Sequence, residues 1–184
     1  TKVFNTIEGG AVSYKDPNLG NLIYELKNFG IHGPEEVSAV GANAKMNEFC
    51  AAMGLCNLRH VDEEIAKRKN IVERYRSNLE GTKGIKLNNL QDGVQSNYAY
   101  FPVVFEEKEF GASREEVFRE LEKNDIYTRK YFYPLTSEVE CYRGMFDVTK
   151  TPVALEVSRQ VLSLPMYANL EEETISEICD IILE

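Results

Sequence analysis

The chain has 184 residues and a mass of 21.0 kDa, and its net charge is −9 with a pI near 4.9. This acidity disfavours a nucleic-acid-binding protein, because phosphate recognition relies on clustered lysine and arginine. Hydrophobic residues make up 43% of the chain, which is enough for a folded core and excludes intrinsic disorder. The apolar stretches are too short to cross a bilayer and no signal segment opens the chain, so we expect a cytoplasmic protein without a membrane partner.

The negative charge is unevenly distributed along the chain. Residues 1–92 contain equal numbers of acidic and basic side chains, so the net charge of −9 belongs to residues 93–184. We therefore expect an anionic ligand in the first half, or at a local basic island in the second half. The four cysteines are widely spaced and lack zinc-site spacing, so we expect buried free thiols and no metal.

The first thirty residues predict a strand followed by a helix. Gly9 and Gly10 favour a turn that leads into a short strand over residues 11–14. Asp16, followed by a proline, favours a helix start, and leucines and an isoleucine at helical spacing extend the predicted helix to residue 30.

The next fifty residues predict a loop and a long helical segment. Residues 30–42 contain three glycines and one proline, which favours an irregular loop. Apolar residues at helical spacing over residues 43–79 predict one long helix or two nearly collinear helices, with Gly54 as the candidate bend.

The last hundred residues predict a small α+β unit with an antiparallel sheet and helices on one face. Alternating residues over 98–105 predict a strand, and Pro102 places it near a sheet edge because proline cannot donate to a ladder. Ser113 and Glu116 have the spacing of a capping box at the start of a helix. The remaining predicted elements are a strand over 126–133 and a terminal helix over 174–183 whose inward residues are Ile175, Ile178, Cys179 and Ile182.

Lys2 is the first candidate for chemistry, because it stands shortly before the polar turn that ends in Gly9 and Gly10. A lysine amine held beside such a turn can attack a carbonyl carbon and form a Schiff base. A lysine near a chain end is more often a solvated charge, so the residues alone leave both interpretations open.

Asn43 is the second candidate, because it follows Gly41 at the expected start of the long helix, where an N-cap would lie. The free amides of a first helical turn can bind a phosphate group. An ordinary helix cap is the alternative interpretation.

A basic and aromatic island at residues 127–135 is the third candidate. In a strand, Arg129 would share one face with Tyr131 and Tyr133, whereas Lys130 would lie on the other face. Cations beside aromatic rings could hold a nucleotide or a diphosphate, and aromatic packing within a sheet is the alternative.

The three candidate sites belong to a set of motifs that follow one another along the chain. The set comprises residues 1–12, 26–30 and 41–54, then Arg68, Tyr75 and Leu79, and finally Tyr133-Pro134-Leu135. Together they resemble the C-terminal half of the DegT/DnrJ/EryC1/StrS family of nucleotide-sugar aminotransferases, which depend on pyridoxal 5'-phosphate (PLP). The resemblance covers essentially the whole chain.

The resemblance implies an α/β to α+β fold, namely the C-terminal part of the aspartate-aminotransferase-like fold (type I PLP). Residues 1–42 would be the end of the large PLP-binding domain. Residues 43–80 would be a long connecting helix, and residues 81–184 a small domain with an antiparallel sheet and helices. The enzyme would move an amino group from glutamate to a keto-deoxysugar nucleotide in polysaccharide or antigen biosynthesis.

The resemblance also implies roles for the candidate residues. Lys2 would be the catalytic lysine that binds PLP, and a lysine there favours amino transfer over dehydration. Asn43 would reach the PLP phosphate of the neighbouring subunit in a homodimer with a shared active site. The substrate-binding residues that would border the nucleotide-sugar pocket are Arg129, Lys130, Tyr131 and Tyr133.

The chain also departs from the family pattern. Thr136 stands where the family usually has histidine, and Val3 and Ile7 replace the commoner Asn and Gly near the lysine. The family's N-terminal half, which stacks on the PLP ring and binds its phosphate, has no counterpart in these 184 residues. A non-catalytic fragment or interaction module is therefore the alternative hypothesis, and we expect the chain alone to be inactive.

Overall fold

The structure is a computed structural model that describes residues 2–184. The chain divides into two compact units, a first unit that ends at Val61 and a second unit from Asp62 to Glu184. Helices alternate with small antiparallel sheets, which confirms the predicted mixed fold class. Within residues 2–184, no helix is long and apolar enough to cross a membrane.

The first unit begins with helix α1 (Leu19–Lys27), which confirms the helix predicted in this region. Asp16 stabilises its start, because its Oδ1 accepts a hydrogen bond from the Asn18 amide at 2.9 Å. The strand predicted over residues 11–14 is wrong, since this segment has no strand partner in the part of the chain that the structure describes. A strand forms only where a neighbour satisfies its amides and carbonyls.

The predicted loop over residues 30–42 contains a small hairpin. Strand β1 (Ile31–Gly33) pairs antiparallel with strand β2 (Glu36–Val37). The two strands are too short to show the alternating pattern that identifies a strand in a sequence. The loop prediction is therefore wrong for these residues.

The predicted long helical segment forms two helices, α2 (Glu48–Leu58) and α3 (Val61–Leu79). Helix α2 begins at Glu48 because Asn47 is its N-cap, and the Asn47 Oδ1 accepts a hydrogen bond from the Cys50 amide at 2.8 Å. The N-cap prediction for Asn43 is therefore wrong. The helices are separated at residues 59–60, whereas the candidate bend at Gly54 lies inside α2.

The second unit contains a three-stranded antiparallel sheet in the order β3–β4–β5. Its strands are β3 (Ile85–Leu87), β4 (Phe101–Phe105) and β5 (Val161–Leu164). Phe101, Val103 and Phe105 are buried and alternate with less buried neighbours, as the sequence predicts. The strand predicted over 126–133 is wrong, because only Arg129 forms a bridge, to Ser163.

Strand β4 is the central strand, so the edge position predicted from Pro102 is also wrong. Pro102 pairs with Ser163 of β5, but the Ser163 amide and carbonyl both bond to the Arg129 backbone, at 2.7 and 3.1 Å. The ring nitrogen of Pro102 therefore faces the side of β3, whose pairing with β4 ends at Val103. A proline fits a central strand here because the neighbouring ladder has already stopped.

Four α-helices complete the second unit after α3, with three short 3-10 helices between residues 136 and 150. They are α4 (Glu107–Phe110), α5 (Arg114–Lys123), α6 (Pro152–Gln160) and α7 (Glu172–Leu183). Helix α5 begins with the predicted capping box between Ser113 and Glu116. Helix α6 and strand β5 are not predicted from the sequence.

The hydrophobic core of the second unit is formed by α3, α5, α7 and the inner face of the sheet. Tyr75 is fully buried, stacks on Phe101 at 4.8 Å and donates its hydroxyl to the Pro165 carbonyl at 3.1 Å, and burial raises its pKa. The four predicted inward residues of α7 are all buried in this core: Ile175, Ile178, Cys179 and Ile182.

The four cysteines are free thiols, as predicted. Cys50 and Cys179 are buried, and burial raises the pKa of the Cys179 thiol to about 11. Cys56 and Cys141 are exposed, so the prediction of buried thiols is correct for two cysteines and wrong for the other two.

Candidate functional site

Lys2 is exposed and lines a cavity of about 550 Å³ in the first unit. A cavity of this size is typical of a site for a small organic molecule. Its walls come from the residues that follow Lys2 and from the loop before α2. The lining residues are Lys2, Phe4, Asn5, Thr6, Ile7, Glu8, Gly9, Gly10, Ala11 and Met46.

The polar turn after Lys2 is held by three hydrogen bonds. The Ile7 amide donates to Asn5 Oδ1 at 3.2 Å, and the Gly9 amide donates to the Thr6 carbonyl at 3.0 Å. Asn57 of helix α2 donates its side-chain amide to the Asn5 carbonyl at 2.9 Å. The backbone beside Lys2 is therefore fixed both by its own turn and by α2.

Gly54 allows this turn to approach α2 closely. A β-carbon at Gly54 would lie 2.7 Å from the Thr6 Cγ2, which is closer than two carbon atoms can pack. Glycine costs stability inside a helix, so its presence in α2 needs a local reason. Contact with the turn beside Lys2 supplies that reason, and the sequence shows Gly54 only as a candidate bend.

The arrangement around Lys2 fits the covalent attachment of an aldehyde cofactor such as PLP. The amine is accessible, the neighbouring backbone is fixed, and the cavity can accommodate a small ring. Glu8 is the only carboxylate among the lining residues. No group of three or more metal-ligating side chains occurs in residues 2–184.

Asn43 lies outside the Lys2 cavity, and its side chain is exposed. Its loop is fixed to the end of α1, where Asn43 bridges to Asn28 and the Ala44 amide donates to the Lys27 carbonyl at 2.9 Å. Gly41 permits this contact, because a β-carbon there would lie 2.6 Å from the Glu25 carbonyl oxygen. The structure therefore does not bring Lys2 and Asn43 together within this chain.

The structure separates the residues of the basic and aromatic island. Arg129 is exposed, whereas Lys130 donates to Glu115 at 2.6 Å and lies 4.1 Å from the centre of the Phe118 ring. Because no strand forms here, the predicted division of the island into two faces is wrong. Tyr131 stacks on Phe132 with ring centres 4.6 Å apart.

The sequence does not predict the contacts of Gly54 and Asn57 with the turn beside Lys2, or the place of Met46 in the cavity wall. Gly54 and Asn57 are three residues apart and therefore share one face of α2. The glycine within an apolar helix is the signal that could have identified this face, because it conflicts with helix propensity.

The family model of the DegT/DnrJ/EryC1/StrS aminotransferase family matches residues 1–183. The chain is 42% identical over 178 residues to a dTDP-4-amino-4,6-dideoxy-D-glucose transaminase of Escherichia coli, which covers 96% of this chain and 48% of that protein. It is 28% identical over 183 residues to a GDP-perosamine synthase of Vibrio cholerae, which covers 98% of this chain and 49% of that protein.

A solved structure shows the same fold. DesI, crystallised in the presence of its TDP-sugar product, superposes with a TM-score of 0.89 and 33% identity over 100% of this chain and 46% of DesI. The chain thus spans about half the length of the curated relatives it matches.

Proposed function

Because the chain belongs to the DegT/DnrJ/EryC1/StrS aminotransferase family, we propose that it is the part of a PLP-dependent sugar aminotransferase that carries the catalytic Lys2. The amino group would pass from glutamate to a keto-deoxysugar nucleotide. The named relatives are a dTDP-sugar transaminase and a GDP-perosamine synthase, which supports a nucleotide-linked sugar as the acceptor.

The observation that carries this proposal is the exposed Lys2 amine beside a cavity and a fixed turn. PLP, when bound, supplies the electron sink that amino transfer needs. Lys2 would hold the cofactor and then carry a proton on its Nζ during the transfer. The bonds from Asn5 and Asn57 would keep the backbone around Lys2 in place during both steps.

Asn43 would act in the neighbouring subunit of a homodimer. Its exposure supports this role, and so does its position outside the Lys2 cavity of its own chain. The contacts of its loop with the end of α1 would give the side chain a fixed position from which to reach a phosphate. The active site would then be shared between two chains.

The domain division and the substrate residues are part of the same proposal. Residues 1–42 would complete a larger PLP-binding domain, and residues 81–184 would form the small domain. Residues 43–80 would form the long helix that connects the two domains. Arg129, Tyr131 and Tyr133 would border the nucleotide-sugar pocket. Lys130 would stand beside them with its charge offset by Glu115.

A second candidate function is that these 184 residues alone form a non-catalytic unit. One observation favours it: the only aromatic ring among the residues that line the Lys2 cavity is Phe4, and the only carboxylate is Glu8. Phe4 and Glu8 alone would have to stack on the PLP ring and pair with its ring nitrogen. We therefore expect that catalysis needs residues from the half of the relatives that this chain does not span.

Replacing Lys2 tests the proposed function. In the complete aminotransferase, Lys2→Ala should abolish the visible absorbance of the lysine-bound cofactor and lower amino transfer by more than about a thousandfold. Lys15→Ala, a change of another exposed lysine in the same unit, is the matched control. Unchanged absorbance and turnover in Lys2→Ala would refute the assignment.

The four free thiols support a cytoplasmic location, because unpaired cysteines are typical of a reducing compartment. Disulfide formation in the native protein would contradict this location.

A further inference from the structure

Arg114 is the first residue of α5, and its side chain is only 7% exposed. Its Nη1 donates one hydrogen bond, to the Val161 carbonyl of β5 at 3.3 Å, while its Nε is buried without a hydrogen-bond partner. Its guanidinium carbon lies 4.9 Å from the centre of the Tyr133 ring. The Nε also lies 3.8 Å from the Glu115 carboxylate, so the buried cation is stabilised by this ion pair and by the aromatic ring.

Glu115, the next residue of α5, holds a second point of the same segment. Its carboxylate accepts a hydrogen bond from Lys130 at 2.6 Å, and this bond lowers the pKa of Glu115. The Lys130 ammonium also lies over the Phe118 ring of α5. Adjacent residues of one helix therefore hold Lys130 and Tyr133, which are three positions apart in the chain.

The two contacts leave other groups of the segment available. The Arg129 side chain is exposed and has no hydrogen bond or ion pair with residues 2–184. Tyr133 is 49% exposed, and its hydroxyl has no hydrogen-bond partner in the described part of the chain. The face of the Tyr133 ring is thus occupied by Arg114, while its hydroxyl points to no protein group.

We propose that Arg114 and Glu115 are positioning residues that hold the segment 129–133, so that Arg129 and the Tyr133 hydroxyl meet the anionic part of the substrate. Lys130 is then a structural counter-charge to Glu115 and not a ligand-binding cation. This inference rests on the proposed function, because that function places the segment at the nucleotide-sugar pocket. Under this proposal the two cations, which are expected from the sequence to bind substrate alike, have different roles.

The position of the segment can be measured without any activity. The chain contains no tryptophan, so Phe132→Trp places its only tryptophan in the segment, and excitation at a wavelength that tyrosine does not absorb reports on this residue alone. Arg114→Met in this background should shift the emission to longer wavelength and lower its anisotropy, because the segment loses the contact at Tyr133. Lys123→Met is the control, since Lys123 is an exposed cation of the same helix that pairs with Glu120 and not with Glu115, and it should change neither signal.

A kinetic comparison in the complete aminotransferase tests whether the position of segment 129–133 matters for substrate binding. Arg114→Met should raise the KM for the nucleotide-sugar substrate about tenfold, the effect of losing one cation–π contact, and leave the glutamate half-reaction within about twofold. A merely structural role would slow both half-reactions in the same proportion. Arg114→Lys should recover only part of the KM, because ammonium lacks the planar group that stacks on a ring.

A second pair of variants distinguishes the role of Arg129 from that of Lys130. Arg129→Ala should raise the nucleotide-sugar KM more than tenfold, an estimate based on the loss of a charged hydrogen bond. Glu115→Gln should raise the nucleotide-sugar KM by a smaller factor than Arg129→Ala does. Lys130 loses its counter-charge in this variant but stays in place over Phe118. Where Arg114→Met does not fold, Tyr133→Ala removes the same contact from its half-exposed side and replaces it in the fluorescence measurement, while Arg114→Lys serves for the kinetic comparison.

Two results would overturn the inference. The first is unchanged fluorescence of the Phe132→Trp reporter in both Arg114→Met and Tyr133→Ala. The second is an equal loss in both half-reactions, which would show that Arg114 serves folding alone. Failure of the proposed function itself is distinguishable, because it would appear as full amino transfer in Lys2→Ala while the fluorescence result still stands.

Discussion

The two units of this chain differ in what supports them. The second unit has a continuous core in which Tyr75, Phe105, Leu121 and Leu162 are at most 1% exposed. In the described part of the first unit, Cys50 is the only buried hydrophobic side chain. The residues proposed for the chemistry, Lys2 and Asn43, nevertheless belong to the first unit.

Helix α2 shows the difference most clearly. It is apolar around most of its circumference, and such helices are normally buried on all sides. Here Phe49, Leu55 and Leu58 are all more than half exposed. An exposed apolar surface of this kind is typical of an interaction site. The comparison therefore indicates that the second unit can fold on its own core, whereas the first unit, which contains Lys2, lacks such a core and depends on further contacts.

A matched pair of phenylalanine substitutions tests this comparison and has the largest expected effect. Phe105→Ala in the second unit should lower the free energy of unfolding by about 3–5 kcal/mol, because it leaves a cavity in a packed core. Phe49→Ala in the first unit, at 84% exposure, should change it by less than about 0.5 kcal/mol. Urea titration of the 184-residue chain measures both values. Similar losses in the two variants would contradict the division into a self-supporting and a dependent unit.

The contact between the Lys2 turn and α2 gives a smaller effect. Gly54→Ala should destabilise this contact by about 1–3 kcal/mol through overpacking against Thr6, although alanine usually stabilises a helix. The measurable consequence is faster hydrogen exchange of the Ile7 and Gly9 amides. Thr6→Ser removes the Cγ2 that would collide, so the double variant should recover slow exchange, and Thr6→Ser alone is the control. Fast exchange in the double variant would show that the collision is not the cause.

The acid dependence of the second unit has the smallest expected effect. Hydrogen bonds from Ser113 lower the pKa of Glu116, and the hydrogen bond from Lys130 lowers that of Glu115, both from an ordinary value of 4.5. Since the folded pKa values are lower, these carboxylates stabilise the fold above pH 4.5. Their contribution is lost as the pH falls from 4.5 through the folded values.

Urea unfolding at a series of pH values measures this loss. Glu116→Gln should reduce the slope of stability against pH below 4.5, the ordinary glutamate value. Glu35→Gln, a change of an exposed glutamate in the first unit, is the charge-matched control. A slope that is the same in Glu116→Gln and in the unmodified chain would contradict the assignment to the capping box.

Elements with local signals can be predicted from this sequence. The capping box of α5 and the inward residues of α7 depend on spacings within one helix, and both predictions are confirmed. Pro102 could not be interpreted correctly, because the tolerance for proline depends on where a strand distant in sequence ends its pairing. Strand β5 is a short apolar run, and such a run does not distinguish a strand from a helix.

The candidate site is predictable to a similar degree. The spacing of Lys2 and the glycines draws attention to the lysine, and the structure places it beside a cavity. Asn43 and Asn47 are the same residue type, so the sequence does not show which of them caps the helix. Asn47 is the N-cap because the Asn43 loop is fixed to the end of α1 and cannot begin the helix. The pairing of Lys130 with Glu115 depends on how the segment folds back on α5, which no local pattern encodes.

The central claim is tested most directly by mass spectrometry of the complete aminotransferase. Borohydride first reduces the imine between the bound cofactor and its lysine, so that the cofactor stays attached. The claim predicts that one lysine carries the reduced cofactor and that this lysine is Lys2. Lys15, Lys27 and Lys45, the other lysines of the first unit, should remain unmodified and serve as internal controls. Modification at any of these three, or no modification of Lys2 in protein that retains activity, would contradict the account.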